Sequence, residues 1–586
     1  MTSADKKPML LASFITDEKT LDRLIPLGFT VFQSDTDHLS TDEVSPGVWD
    51  FSVYDRKYAA VRARNCKWMI LTHFAWPPYW YRKNEVYTRL ECLEHCQSVE
   101  AFSIWDPKAY EYLERGYAAW KEHFKDDEDD FFGFYVGVHG DYGEAVFPAA
   151  YRMKYDQKQD WLEHFEDLHN HYGWWCGDPL AQKDFAGKML GKYGGYGAMN
   201  RAWNADFCEG KPAALPIFGL ANRRYWLDFV RWYFDSMVEY ARAHMKALSR
   251  NFPDLVRLLP MGAEDEDLRI GQDYTALTKM CSEEGAQVRS THGGFFPFDI
   301  NSVSQLTRLG SACKFYKVPF WTEPQSGMPA YGQVGRIFEC LCNGAVAFWD
   351  WPRNVEDPEG AAVIEKYRHL LVVDMPLVEA AIFYPQTWHY MQRVSANFPK
   401  QYRRLGARAR EAVHMDVLDE LMIADGALDN YRFLIHFEGD IIESDTLEKI
   451  ARWLKNGGVW FVYLKNPIET VEGDASVCGR LFGFTEPVTG LYSVGDGFVY
   501  VLKDEGDDDS AMAALRGVLY KNSPNGTHCR SIDTGTPGVY GLLYPDGRVL
   551  LYNMNRDGPR TVRLKESEYT IGPAAILECG AEERSR

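Results

Sequence analysis

Two glutamates, Glu144 and Glu323, stand in settings that suit acid–base or nucleophilic work. Glu144 closes the run Phe134-Tyr-Val-Gly-Val-His139-Gly-Asp141-Tyr-Gly-Glu144, and Glu323 lies in Val318-Pro-Phe-Trp321-Thr-Glu323-Pro-Gln325. Each follows a short apolar, β-branched or aromatic run of the kind that forms a buried strand. Two carboxylates far apart in sequence, both at strand ends, are the minimum apparatus for hydrolysing a glycosidic bond. A nucleophile must be ionised at neutral pH, which asks for donors such as Arg289 or His292 beside Glu323. A general acid must keep its proton, which asks for apolar or aromatic walls such as Tyr142 and Phe147 around Glu144. Asp141 competes for the acid role, and the longer Glu144 is preferred. Each glutamate also has a structural reading: Glu323 as the partner of an arginine, Glu144 as a first-turn acid favourable to a helix dipole.

Around these two, polar and aromatic residues gather after other strand-like runs: His73, His139, Glu264, His292 and Trp349. With Arg289 they form the expected lining of a sugar subsite. His73, His139 and His292 also have the composition of a three-imidazole metal site. A barrel amidohydrolase would open with His-x-His on its first strand, and here that place reads Phe14-Ile-Thr-Asp. Hydrogen bonding to sugar hydroxyls is the preferred reading, with no metal and no cofactor. Trp76, Trp80, Trp321, Trp349 and Trp351 are candidates for a sugar platform. Trp349 and Trp351 would share a face if their strand continued.

Composition narrows the partners. The chain has 586 residues, too many for one core. Its net charge of −20 argues against nucleic acid or an anionic membrane. Aromatics reach 15 % with 18 Trp, which serves either large cores or sugar binding. The 12 Cys include no CxxC pair. Cys92 and Cys96, on an expected helix, and Cys340 and Cys342 lack the second half of a zinc site, so buried free thiols are expected. No secretory leader and no 18-residue apolar stretch is visible, so the expected location is cytoplasmic.

The elements that would position the site follow one rhythm. Short apolar runs at Met9–Phe14, Thr30–Gln33, Trp68–Thr72, Phe132–Val138, Leu255–Pro260, Gln287–Ser290, Pro319–Trp321 and Ala345–Phe348 alternate with amphipathic stretches. Eight such units predict a (β/α)8 barrel over residues 1–372, with chemistry at the C-terminal strand ends. Strands at Leu377–Tyr384, Arg432–Ile435 and Val459–Tyr463, with helices at Ala407–Leu421 and Ser444–Lys455, predict a small flavodoxin-like α/β domain over 373–503. It carries no GxGxxG, so nucleotide binding is not supported. Runs at Val539–Tyr544, Val549–Tyr552 and Thr561–Leu564 predict a small antiparallel β-sandwich domain over 504–586.

Several segments resemble clan A glycoside hydrolases, the family 42 β-galactosidases above all. Val44-Ser-Pro-Gly47-Val-Trp-Asp50-Phe51-Ser-Val-Tyr-Asp55 resembles their E-P-x-x-G-x-Y-D-F segment, and Thr72–Trp80 their P-P-x-W loop. Tyr193-Gly-Gly-Tyr-Gly-Ala-Met-Asn200-Arg-Ala-Trp203 resembles a helix of theirs, and Trp321-Thr-Glu323-Pro-Gln with Asn343-Gly-Ala345 their nucleophile region. The resemblance implies a retaining exo-β-glycosidase, of β-galactosidase or β-mannosidase type, acting on small oligosaccharides with Glu323 as nucleophile. It also implies that the amidotransferase-like α/β domain mediates trimer formation. At the fourth strand the family's Asn-Glu is replaced by Gly140-Asp141-Tyr-Gly. There Gly-x-x-Gly-Glu144-x-x-Phe-Pro148 resembles the acid segment of family 14 β-amylases, which are inverting. Two alternatives follow: an inverting β-amylase-like glucan hydrolase, and a carbohydrate-binding barrel without catalysis.

Overall fold

The computed structural model describes residues 6–34, 43–140, 143–147, 172–216, 222–262, 267–291, 303–392, 399–521, 526 and 528–579. Eight strands form a closed barrel: β1 (Leu10–Phe14), β2 (Val31–Gln33), β3 (Lys67–His73), β4 (Phe131–Gly137), β5 (Val256–Met261), β6 (Gln287–Ser290), β7 (Phe320–Thr322) and β8 (Ala347–Asp350). The order around the barrel is the order in sequence, and the paired strands run parallel. All eight coincide with the apolar runs picked out above. Strands covered on both faces read as continuous apolar segments, so they are conspicuous in sequence.

The chain divides into two compact units, residues 10–291 and residues 1–9 with 292–586. The first unit holds β1 to β6. Its largest helix, Arg223–Asn251, begins at Asn222, whose side chain accepts from the Tyr225 N–H. Much of the aromatic content is spent on its core. Trp203 stacks on Tyr225 at 4.1 Å, Trp105 on Trp232 at 5.3 Å and Phe147 on Tyr233 at 4.3 Å. The Tyr193–Trp203 motif is explained by packing of this kind. Buried Asp228 accepts from Trp203 Nε1 at 2.8 Å, from Lys192 Nζ at 2.7 Å and from the Tyr193 hydroxyl. Asn200 closes the following turn by bonding both the N–H and the C=O of Phe207.

The second unit holds β7 and β8, then a six-stranded sheet of β9 (Ala380–Phe383), β10 (Met415–Leu418), β11 (Phe433–His436), β12 (Val459–Leu464), β13 (Gly490–Val494) and β14 (Gly497–Lys503). Its order is β10-β9-β11-β12-β14-β13, parallel except for the antiparallel edge strand β13. The five parallel strands, numbered without β13, have the flavodoxin-like order 2-1-3-4-5. The helix Asp508–Tyr520, absent from the expected elements, supplies Ala511, Met512, Leu515, Val518 and Leu519 to the core on one face of this sheet. Two small antiparallel sheets follow: β15 (Val539–Leu543), β16 (Val549–Asn553) and β19 (Ala575–Cys579), and the pair β17 (Arg560–Leu564) and β18 (Ser567–Ile571).

Three local expectations are corrected. The helix expected over Ala407–Leu421 ends at Ala409, and Met415–Leu418 is strand β10. Pairing with β9 overrides the local pattern there, and buried Asp416 is neutralised by Lys314 Nζ at 2.8 Å. Cys92 and Cys96 lie on a hairpin between Arg89–Glu91 and Ser98–Phe102, not on a helix. The strand carrying Trp349 stops at Asp350, so Trp351 leaves it and the two indoles meet edge to face, at 86° and 5.3 Å. They do not make a flat platform. All 12 cysteines are free.

Candidate active site

Each unit presents a buried glutamate in the segment that follows a barrel strand. In residues 10–291 it is Glu144, 3 % exposed. The chain leaves β4 at Gly137 and folds back on itself: the Val138 N–H bonds the Gly143 carbonyl at 3.0 Å, and the Gly140 N–H bonds the Glu144 carbonyl at 2.8 Å. This reversal requires glycine at 143. There φ is +97°, and an added Cβ would stand 2.9 Å from the Gly137 Cα. After Glu144 the chain is pinned by the Phe147 N–H on the Ile270 carbonyl at 3.1 Å, and by Phe147 stacked on Tyr233. Thr291, just past β6, donates its hydroxyl to Glu144 Oε1 at 3.2 Å. Glu144 Oε2 is buried and has no hydrogen-bond partner among the described residues.

The histidines expected to line the subsite are tied to the backbone. His73 Nε2 donates to the Gly140 carbonyl at 2.6 Å, and His139 Nε2 to the Phe102 carbonyl at 3.1 Å. Burial lowers His73 to about 4 and His139 to about 3, so both rings are neutral and Nε2 carries the proton. His73 thereby fixes the turn that presents Glu144. Arg289 on β6 is 1 % exposed, lies over the Tyr135 ring at 4.0 Å and donates to Gln33 Oε1 at 2.5 Å. Trp76 is buried, and Trp80 donates its Nε1–H to the Glu43 carbonyl at 2.9 Å. Asp141, Tyr142, Glu264 and His292 lie outside the described residues.

In the second unit the carboxylate is Glu323, directly after β7 and 2 % exposed. The register Trp321↔Ala347 and Thr322↔Phe348 sets the ends of β7 and β8 side by side. Trp321 and Trp349 are 1 % and 0 % exposed, so both are core side chains here. Sequence reasoning passed over Asp350, which ends β8 and is fully buried. It accepts from the Trp351 N–H and from Asn354 Nδ2, both at 2.8 Å. Burial lifts it to about 7, aided by the charge of Glu323 and opposed by these bonds and by Arg336. An aspartate between two tryptophans at a strand end was the available signal. Among the described residues no group of three or more His, Cys, Asp or Glu could hold a metal ion.

No family model and no curated protein matches this sequence. Solved structures do. A β-galactosidase from Rahnella sp. R3 superposes with TM-score 0.74 at 12 % identity, covering 98 % of both chains. A β-galactosidase from Bacillus circulans sp. alkalophilus gives 0.71 at 12 %, covering 99 % of both. The catalytic domain of a β-amylase from Paenibacillus polymyxa gives 0.50 at 15 %, covering 62 % of this chain and 98 % of its own. The likeness shows a shared fold: a (β/α)8 barrel followed by further α/β and β domains.

Proposed function

We propose that this chain is a retaining exo-β-glycosidase, of β-galactosidase or β-mannosidase type, acting on terminal sugars of small oligosaccharides. The observation that carries the reading is the placement of two buried carboxylates on one closed parallel barrel, Glu144 in the loop that follows the fourth strand and Glu323 directly after the seventh. In such barrels the chemistry sits at the C-terminal strand ends. Likeness in fold to β-galactosidases along the whole chain supports the same class. Glu323 attacks the anomeric carbon and forms a glycosyl ester while Glu144 protonates the departing oxygen. Glu144 then takes a proton from water, which cleaves the ester and restores both carboxyl groups. Arg289 is assigned to sugar binding, as are Glu264 and His292, which lie outside the described residues, while His73 and His139 act through the loop they hold. No metal enters either step.

The β-amylase-like alternative rests on Gly-x-x-Gly-Glu144-x-x-Phe-Pro148 and on the barrel's likeness to a β-amylase. It requires inversion. A trimer built through the α/β domain, by analogy with family 42, completes the proposal, with the barrel ending near residue 372 and the α/β domain extended past 503 by the helix Asp508–Tyr520. Twelve free cysteines support a reducing compartment such as the cytoplasm. No helix of the described residues is long and apolar enough to cross a membrane.

The deciding experiment is a panel of 4-nitrophenyl β-glycosides with the anomer of the first product followed by NMR. Cleavage of the galactoside or mannoside with retention is expected, and Glu323→Gln should abolish it. Inversion on an α-glucan would favour the alternative. No turnover of any glycoside, with binding retained, would leave a carbohydrate-binding barrel.

A further inference from the structure

The loop that leaves Glu323 runs from Pro324 to Pro329, where the helix Ala330–Cys342 begins. One side chain holds both of its ends. Asn354 lies beyond β8 on the short helix Pro352–Glu356 and is 1 % exposed. Its Nδ2 donates to the Gln325 carbonyl at 2.9 Å and to Asp350 Oδ1 at 2.8 Å. Its Oδ1 accepts from the Met328 N–H at 2.9 Å. Its own carbonyl accepts from Gln333 Nε2 at 2.7 Å. A primary amide has two donor hydrogens and one acceptor oxygen in a plane, and all three functions are used here. Neither an aspartate nor an apolar isostere could make the same set. The close approach leaves no room on its far side. A Cβ at Gly360 would fall 2.0 Å from the Asn354 carbonyl oxygen.

We propose that Asn354 is a positioning residue for Glu323: by bonding residues 325 and 328 at once, it fixes the loop whose first turn carries the nucleophilic carboxylate. The inference rests on the glycosidase reading, in which Glu323 must meet the anomeric carbon. Asp350 anchors the clamp on the end of β8, beside the strand that carries Glu323. Without the amide, the Gln325 carbonyl and the Met328 N–H lose their bonds to the side chain beyond β8, and Glu323 follows the loop. A misplacement of about 1 Å at a reacting group lowers turnover by about 100-fold. The bonds of Asn354 run to the loop behind Glu323, so the expected effect falls on kcat rather than on KM.

The test is the kinetics of Asn354→Leu and Asn354→Ser on 4-nitrophenyl β-D-galactopyranoside, or on the panel glycoside that the wild type cleaves. The expected result is a fall in kcat of about 10- to 100-fold with KM within about 3-fold, in protein whose circular dichroism matches the wild type. A residue that served stability alone would lower the melting temperature and leave kcat unchanged. Either folded variant with wild-type kcat, or with KM raised and kcat intact, would overturn the inference. Serine is included because its smaller volume is tolerated where leucine disrupts folding. Glu323→Gln, run in parallel, separates the two levels. If it stays active, the glycosidase reading itself fails; if it is dead while both Asn354 variants are fully active, only the clamp is wrong.

Discussion

Gly143→Ala tests the route from backbone geometry to catalysis. At φ +97° an L-residue is strained by about 1–2 kcal/mol. The new Cβ would also meet the Gly137 Cα at 2.9 Å, a backbone atom inside strand β4 that cannot turn away. Ordinary van der Waals contact begins near 3.4 Å, so the turn must shift by about half an ångström. Glu144 is the next residue, and its carboxyl moves with the turn. Displacements on that scale already exceed what a catalytic constellation tolerates, so kcat should fall by about 10- to 100-fold. Gly47→Ala is the control for strain alone. Its φ is +73°, and an added Cβ meets nothing within 4 Å. Both variants should lose melting temperature, and only Gly143→Ala should lose kcat on the nitrophenyl glycoside. If folded Gly143→Ala turned over at the wild-type rate, the loop would not position the acid, and the argument from its geometry would be refuted.

Other outcomes follow from burial. Buried His73, His139, His244, His389, His414 and His436 are lowered to between about 3 and about 4, chiefly by desolvation. The unfolded chain therefore binds more protons below its ordinary value of 6.5, and stability is lost as pH falls from there. At pH 5 each histidine costs about 2 kcal/mol, so thermal melts should drop steeply between pH 6.5 and 5; a flat profile would contradict the burial. Asp350 works in the opposite sense. Its raised value of about 7 means that the folded state loses stability as pH climbs from 3.8 to 7, on the order of 4 kcal/mol. Asp350→Asn, which faces Glu323, Arg336 and Asn354, should therefore gain melting temperature relative to the wild type across that window. Asp228→Leu should destabilise by about 3–5 kcal/mol, because it strands the buried Trp203 N–H and Tyr193 hydroxyl; a loss under 1 kcal/mol in a denaturant titration would show that the three-donor site is not formed.

The barrel strands were legible because the signal is local. A run such as Trp68-Met-Ile-Leu-Thr72 is apolar on both faces, and only a strand covered on both sides suits it. Glu144 and Glu323 were legible for the same reason, since each stands just past such a run. The Tyr193–Trp203 pattern could be seen, but its purpose could not: Asp228, which gathers its donors, lies 25 residues beyond Trp203. The strand Met415–Leu418 was hidden inside a helix-like pattern, because only its pairing with β9 makes it a strand.

What the sequence by itself determined was the succession of buried strands and the place of two carboxylates in the segments that follow them. Tertiary structure alone decided the direction of the polar side chains. His73 and His139 turn to backbone carbonyls supplied by other segments, and so hold a loop. Asp350 and Asn354 acquire a role only when Gln325 and Met328 are folded back against them. Hydrophobic periodicity is written into neighbouring residues and survives reading in one dimension. A hydrogen bond needs a partner within about 3 Å, and that partner is set by the path of the whole chain.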